Sequence, residues 1–353
     1  MAKVGVFGRR PDRQSRELVE SLNRIEPGSA RFFPTHLNGR PPASLSEEAL
    51  IWDGEDLTGL DTAVVRGFTF EYPVVPRARM DQDWSLWQIH HVQDQQKYSF
   101  LFSVYAELAR RGVILCNAAD AHALSFMKFE QLQRLRRAGL HVAEMICTND
   151  AHRAETFSAG RETVLWRPAT GRGAWQLCLE KQRRHLFVDG APPVMLADTI
   201  RGPLIRAYVF AGRSLMAFKL GFPACRPLET LEVFLQVELP IAVETALRKV
   251  ADVLGVRWAM VSLVQEEMSG HAWIYDVDVD PHYDCLPEPL RGALQERLAR
   301  CLLGREVETA VISDTPLERQ SILLRRMLRV LFDMEASKYA ATSASNAGQT
   351  ERS

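Results

Sequence analysis

The chain has 353 residues, 46% of them hydrophobic, and its 43 basic side chains nearly cancel its 44 acidic ones. That size and apolar fraction predict about two or three packed units, each with a real core. The balanced charge excludes a global field that would draw the protein to nucleic acid or to an anionic membrane surface.

Six cysteines, at 116, 147, 178, 225, 285 and 301, form no Cys-x-x-Cys pair and read as thiols in a reducing compartment. No apolar run reaches membrane-spanning length, and Val4 to Phe7 gives way at once to Arg9 and Arg10. The expectation is a soluble, cytoplasmic protein with neither nucleic-acid nor membrane partners.

Along the chain, Val4 to Phe7 predicts a strand and Arg13 to Leu22 a helix, followed by a Pro/Gly-rich crossing from Pro27 to Pro42 and a strand from Thr62 to Arg66. A long helix from about Asp83 to Arg111 leads into the strand Val113 to Cys116. This order predicts a βαβ unit with a parallel sheet over residues 1–117. His90 and His91, adjacent on the long helix, point about 100° apart and cannot chelate one metal together.

From Asp120, read as an N-cap, an apolar stripe of Leu124, Met127, Leu132 and Leu135 predicts a single helix ending at Gly139, with Lys128 beside the stripe. Strand signals at Val142 to Cys147, Thr163 to Trp166, Trp175 to Leu179 and Val194 to Leu196 predict a small α+β lid over residues 118–200.

Residues 201–312 are expected to form an antiparallel-sheet subdomain. Ile205 to Phe210 and Ser214 to Leu220 make a hairpin across Ala211-Gly212-Arg213, and the helix Pro240 to Leu254 stops at Gly255. Val256 to Val264 and Ala272 to Asp280 make a second hairpin. Within residues 313–339, Leu317 to Met334 reads as an amphipathic helix that docks on the body or on a second subunit, the latter giving a homo-oligomer. Residues 340–353, rich in Ala, Ser, Thr and Asn, read as a disordered tail.

The second hairpin ends in Asp276-Val277-Asp278-Val279-Asp280-Pro281. Alternation on a strand puts the three carboxylates on one side and Val277 and Val279 toward the core, so the segment is a candidate site for a hard divalent cation. A calcium-binding EF-hand would need Gly at the sixth position and Glu at the twelfth, where Pro281 and Pro287 stand. Mg²⁺, with Mn²⁺ as its substitute, suits a few carboxylates completed by waters and phosphate oxygens. The alternative is an acidic strand end facing water.

Arg167-Pro168-Ala169-Thr170-Gly171-Arg172-Gly173 lies between two strands, where backbone N–H groups flanked by two arginines can cradle phosphate; a plain turn is the other reading. Arg66, at the end of its strand, either binds an acidic substrate or sits in a local ion pair. No Walker motif, dinucleotide fingerprint, His-Glu-x-x-His or Gly-x-Ser-x-Gly appears.

The order Asn117, Lys128, basic glycine loop, Arg206 and paired carboxylates resembles the ATP-grasp superfamily, in particular its RimK-like and glutathione-synthetase-like ligases, over roughly Val113 to Pro281. Lys128-Phe-Glu-Gln-Leu-Gln-Arg-Leu-Arg-Arg-Ala-Gly139 looks like the family's Lys-to-Gly helix, and Leu196-Ala197-Asp198-Thr199-Ile200 is similar to its adenine-holding hinge. Leu204-Ile205-Arg206 looks like its Asp-Ile-Arg, while Asp276 and Asp278 fall on its magnesium-binding Glu and Asn.

The resemblance implies an α/β (α+β) ATP-grasp fold with an N-terminal βαβ domain, a small α+β lid and a C-terminal antiparallel-sheet subdomain. It also implies ATP and Mg²⁺ as cofactors, held by Lys128, Arg167, Gly171, Arg172, Gly173, Asp198 and Lys219 and by Asp276, Asp278 and Asp280. Arg206 and Arg167 take the catalytic roles. The implied activity is carboxylate–amine ligation through an acyl phosphate, with a small-molecule or peptide carboxylate and an amine nucleophile as partners.

Three positions depart from the pattern: Arg167 for a Lys, Leu204 for an Asp and Ser262 for a metal-binding Asp. Those departures keep a second reading open, a degenerate member that binds nucleotide or a partner without catalysis.

Overall fold

The computed structural model describes residues 3–8, 12–35, 43–66, 80–169, 175–178, 186–188, 190–221, 231–312 and 317–320. In the first unit β1 (Val4–Gly8), β2 (Ala30–Pro34), β6 (Thr62–Val65) and β7 (Ile114–Cys116) form a parallel sheet in the order β2-β1-β6-β7. β1 is buried along its whole length, as expected of a central parallel strand covered on both faces. Gly5 is required there, because a Cβ would lie 2.8 Å from the Leu60 side chain.

Helix α1 (Arg13–Ile25) starts on Asp12, whose carboxylate accepts from the Gln14 N–H at 3.1 Å. β2, together with a small antiparallel sheet of β3 (Ala43–Leu45), β4 (Leu50–Trp52) and β5 (Glu55–Asp56), occupies a stretch that carried no strand prediction. Their apolar pairs are too short to show a period, but Phe33, Leu50 and Trp52 are buried in one core with Leu101, Val104 and Tyr105 of α2 (Met80–Arg110).

The single helix predicted from Asp120 to Gly139 is two: α3 (Ala119–Leu124) and α4 (Lys128–Arg137). Asp120 lies inside the first turn of α3 instead of capping it. The break leaves Met127 47% exposed, outside the stripe where the sequence put it. It also makes Lys128 the first residue of α4 and buries it.

The lid sheet runs β10 (Gln176–Leu177), β9 (Val164–Pro168), β11 (Val194–Asp198), β8 (Met145–Thr148), all antiparallel, and is backed by α5 (Ala151–Ser158) on an Asp150 cap. α3 and α4, placed by the sequence in the same segment as the lid, bury Ala121, Leu124, Leu132 and Leu135 in the core of the next sheet instead.

That sheet has six antiparallel strands in the order β16-β15-β12-β13-β14-β17, comprising β12 (Leu204–Phe210), β13 (Arg213–Gly221), β14 (Leu231–Val237), β15 (Trp258–Gln265), β16 (Ala272–Asp278) and β17 (Leu317–Gln320). Ile205, Ala207, Val261 and Val277 face α6 (Ile241–Leu254) together with α3 and α4. Tyr208, Phe218 and Trp258 face α7 (Leu290–Leu302) and the first unit. Val277 is buried on the helix-covered side, as the alternation requires, and Val279, just past the end of β16, is buried in the same cluster.

β17 corrects the predicted C-terminal helix at its start, since Leu317 to Gln320 pair with β14 and satisfy the backbone of that strand's edge. The rest of that helix and the tail lie outside the described residues. Among the described residues no helix is long and apolar enough to cross a membrane.

Candidate functional site

The register of the large sheet aligns three polar residues across adjacent strands: Arg206 on β12 faces Ser262 on β15, and Ser262 faces Asp276 on β16. Directly opposed residues point to the same face, so the three form one row, with Asp278 two positions further along. Arg206 Nε is buried and has no hydrogen-bond partner, which leaves a cationic donor available on this face.

Two cations meet the carboxylate of Asp276. Lys128, 3% exposed, brings Nζ to 2.9 Å from Asp276 Oδ1 and donates to Val277 O at 2.7 Å and to Gln131 Oε1 at 3.3 Å. Arg167 comes from the lid strand β9, fully buried, with NH1 3.1 Å from the same oxygen and its guanidinium carbon 5.5 Å from the Trp175 ring centroid. The helix side and the lid are therefore joined through one carboxylate oxygen.

Burial acts to raise the Asp276 carboxyl, but the Lys128 and Arg167 charges outweigh it and hold the group below its ordinary value of 3.8. Asp12 shows the same balance, with burial opposed by Arg66 and Ser15. Groups depressed in the folded state lend stability that is fully present above their unfolded values and is lost as pH falls through the folded ones. Stability is thus expected to be insensitive to these carboxylates at neutral pH and to fall on acidification below about pH 4. Urea midpoints of wild type and Asp276→Asn between pH 7 and pH 3 check this, the gap between the two proteins narrowing as acid protonates Asp276.

Asp280 departs from the expected row. β16 ends at Asp278, the alternation ends with it, and the Asp280 carboxylate lies 3.1 Å from Arg66 NH1. Arg66, 3% exposed, also holds Asp12 Oδ2 through Nε at 3.0 Å and donates to Pro281 O at 3.2 Å. Gln14 Nε2 donates to Pro281 O at 3.1 Å. The local ion pair is thus the reading of Arg66 that the geometry bears out, and Asp280 is a link to the first unit. Its backbone N–H still serves the row by donating to Asp278 Oδ1 at 3.1 Å.

Asn117 makes a second link: its side-chain N donates to Trp258 O at 2.5 Å and Val279 O at 2.7 Å, while its oxygen accepts from Arg257 N at 2.7 Å and Trp258 N at 3.0 Å. All of its polar capacity goes into fixing the ends of β15 and β16. Among the described residues no group of three or more His, Cys, Asp or Glu could hold a metal ion. Asp276 and Asp278 remain as two hard carboxylates on one face, which fits Mg²⁺ or Mn²⁺ completed by phosphate oxygens and water but not a cage made by protein alone.

Lys219 pairs with Ile205 and Leu235, and so falls on the alternate side of the sheet from the Arg206 row. Asp198 closes β11 and accepts the Thr199 N–H on its own Oδ1 at 2.9 Å. Gly171, Arg172 and Gly173 lie outside the described residues. Sequence reasoning passed over Tyr275, Trp175 and Asp12; Tyr275 stands immediately before Asp276 at a register shift opposite Ser262 and Leu263, and only the pairing reveals that shift.

No family model matches the sequence, and no curated protein matches it significantly. Solved structures do share the architecture. The ATP-grasp ligase PsnB, complexed with a phosphomimetic variant of a minimal precursor, Mg and ADP, superposes with a TM-score of 0.73 at 17% identity, covering 86% of this chain and 98% of that one. The macrocyclase MdnC bound with precursor peptide MdnA, from Microcystis aeruginosa, gives 0.67 at 13% identity over 85% and 99% of the two chains. A Chryseobacterium gregarium RiPP-associated ATP-grasp ligase, in complex with ADP and a leader and core peptide, gives 0.63 at 13% identity over 89% and 100%. The fold of this chain is the ATP-grasp fold.

Proposed function

We propose that this protein is an ATP-dependent ligase that activates a peptide carboxylate as an acyl phosphate and passes it to an amine nucleophile. The observation that carries the reading is the row Arg206–Ser262–Asp276, flanked by Lys128 from α4 and Arg167 from the lid. Mg²⁺ held by Asp276 and Asp278 would supply charge neutralisation on the phosphate oxygens.

Lys128 and Arg167, held beside Asp276, are placed to take up negative charge on a phosphoryl group that enters the row. Arg206, with its unpartnered buried Nε, is placed to stabilise the oxyanion that forms when the nucleophile adds to the activated carbonyl. The lid sheet packs Leu165 and Trp175 toward Tyr275 of β16, beside the row, where excluding water would protect an acyl phosphate from hydrolysis. Support for a peptide substrate comes from the structural neighbours, which were captured with precursor peptides.

A reading without catalysis is favoured by one observation: a single Asp276 oxygen already carries two cations, with a serine beside it in the row. One experiment separates the two. Incubation with Mg-ATP, peptides ending in or displaying carboxylates, and hydroxylamine is expected to yield a hydroxamate together with stoichiometric phosphate. ATP binding without either product across a broad peptide pool would favour the binding-only protein.

A further inference from the structure

After β11 the chain crosses from the lid to β12 through Asp198, Thr199 and Ile200. Much of its polar content is used locally: Asp198 N donates to Glu144 O at 2.9 Å, Thr199 N to Asp198 Oδ1 at 2.9 Å, and Thr199 Oγ1 to Thr163 O at 3.2 Å. The Asp198 carbonyl and the Ile200 N–H both meet a single atom from the other sheet. Tyr275 Oη donates to Asp198 O at 2.9 Å and accepts from Ile200 N at 2.9 Å.

Its surroundings are apolar and hold the phenol ring. Tyr275 is 4% exposed and clusters with Ala143 and Val264, with Leu165, Ile200 and Leu204 packed against them. Trp175 stands edge-on to its ring at 6.1 Å between centroids and donates its indole N–H to Tyr275 O at 2.9 Å. Tyr275 immediately precedes Asp276 on β16.

A carbonyl and an N–H on one side of a chain segment, beside apolar walls, suit a planar ligand that offers a donor and an acceptor next to each other. Adenine offers that pair, in its amino N–H and its N1; guanine offers the reverse, an acceptor O6 and a donor N1–H. An N–H carries one proton, so Ile200 cannot serve Tyr275 and a base nitrogen at once.

We infer that Tyr275 governs nucleobase access and selectivity, its hydroxyl occupying the hinge pair that an adenine must take over. The inference rests on the ATP reading above. When the base enters, the Asp198 carbonyl exchanges one O–H donor for one N–H donor and the Ile200 N–H exchanges acceptors, so the hinge loses no hydrogen bond. A base with the reversed pattern cannot make that exchange.

The test is nucleotide binding by calorimetry to the full chain, wild type and Tyr275→Phe, with Mg-ADP and Mg-GDP, after thermal melting has shown both proteins folded. Removing the competing hydroxyl while keeping the ring is expected to tighten ADP about tenfold, in line with the net worth of one or two hydrogen bonds, and to leave GDP unchanged. Faster amide exchange at Ile200 in the variant should accompany it. Equal or weaker ADP binding by the variant, or an equal gain for GDP, overturns the role of Tyr275 while leaving the ATP reading standing. No ADP binding by either folded protein overturns both.

Discussion

Asp276→Asn is expected to lower ATP-dependent hydroxamate formation by about a thousandfold, because it removes the charge that would anchor the cation and the transferring phosphoryl group, a contribution of several kcal/mol at about 1.4 kcal/mol per decade. The same change leaves Lys128 and Arg167 facing a neutral amide at 2.9 and 3.1 Å. With the Asp276 side chain 20% exposed, a loss of about 3 kcal/mol is expected, the low end of what breaking a buried pair costs. Urea unfolding measures the second effect and hydroxamate yield at saturating ATP the first. Turnover within about tenfold of wild type would mean that the metal lies elsewhere, since no positioned charge of this kind is dispensable.

Arg66→Met is expected to be the most destabilising single change away from the row. It strips both Asp12 and Asp280 of their shared cation inside the body, where Arg66 is 2% exposed and Asp280 7% by side chain. Breaking a buried pair leaves an uncompensated charge at a cost of about 3–5 kcal/mol. Adding Asp12→Asn and Asp280→Asn should recover part of that loss, because the uncompensated charges are then gone. The urea midpoint reports both, and a single variant within about 1 kcal/mol of wild type would show that the network contributes little.

Four strands of the large sheet, β12, β13, β15 and β16, were legible because they alternate and their hairpins are marked: Ala211-Gly212-Arg213 and the Gly270 turn fix the pairs, and Gly255 ends α6, whereas β14 drew no prediction and β17 read as helix. Asp276 and Asp278 could be read as one face from spacing alone. Asp280 could not, because whether a strand continues past Asp278 depends on what its backbone meets, here Gln14 and Arg66 from residues more than two hundred positions earlier. The break between α3 and α4 was hidden for a related reason. Ser125 to Met127 carry no Gly or Pro, and the chain turns there so that Lys128 can reach Val277 O and Asp276.

By itself, then, the sequence determined the strands β12, β13, β15 and β16, the helices α1, α2 and α6 and the glycines that turn them, since these follow from local periodicity and spacing, and it carried carboxylates and cations whose order resembles that of ATP-grasp ligases. Only the tertiary structure decided which of those groups meet. It set Arg206, Ser262 and Asp276 in one row, gave Asp276 two cations from opposite flanks, assigned Asp280 to Arg66, and closed Tyr275 on the hinge. Strand register and the docking of the lid are long-range contacts, and no local pattern encodes which side chain sits at the far end of them.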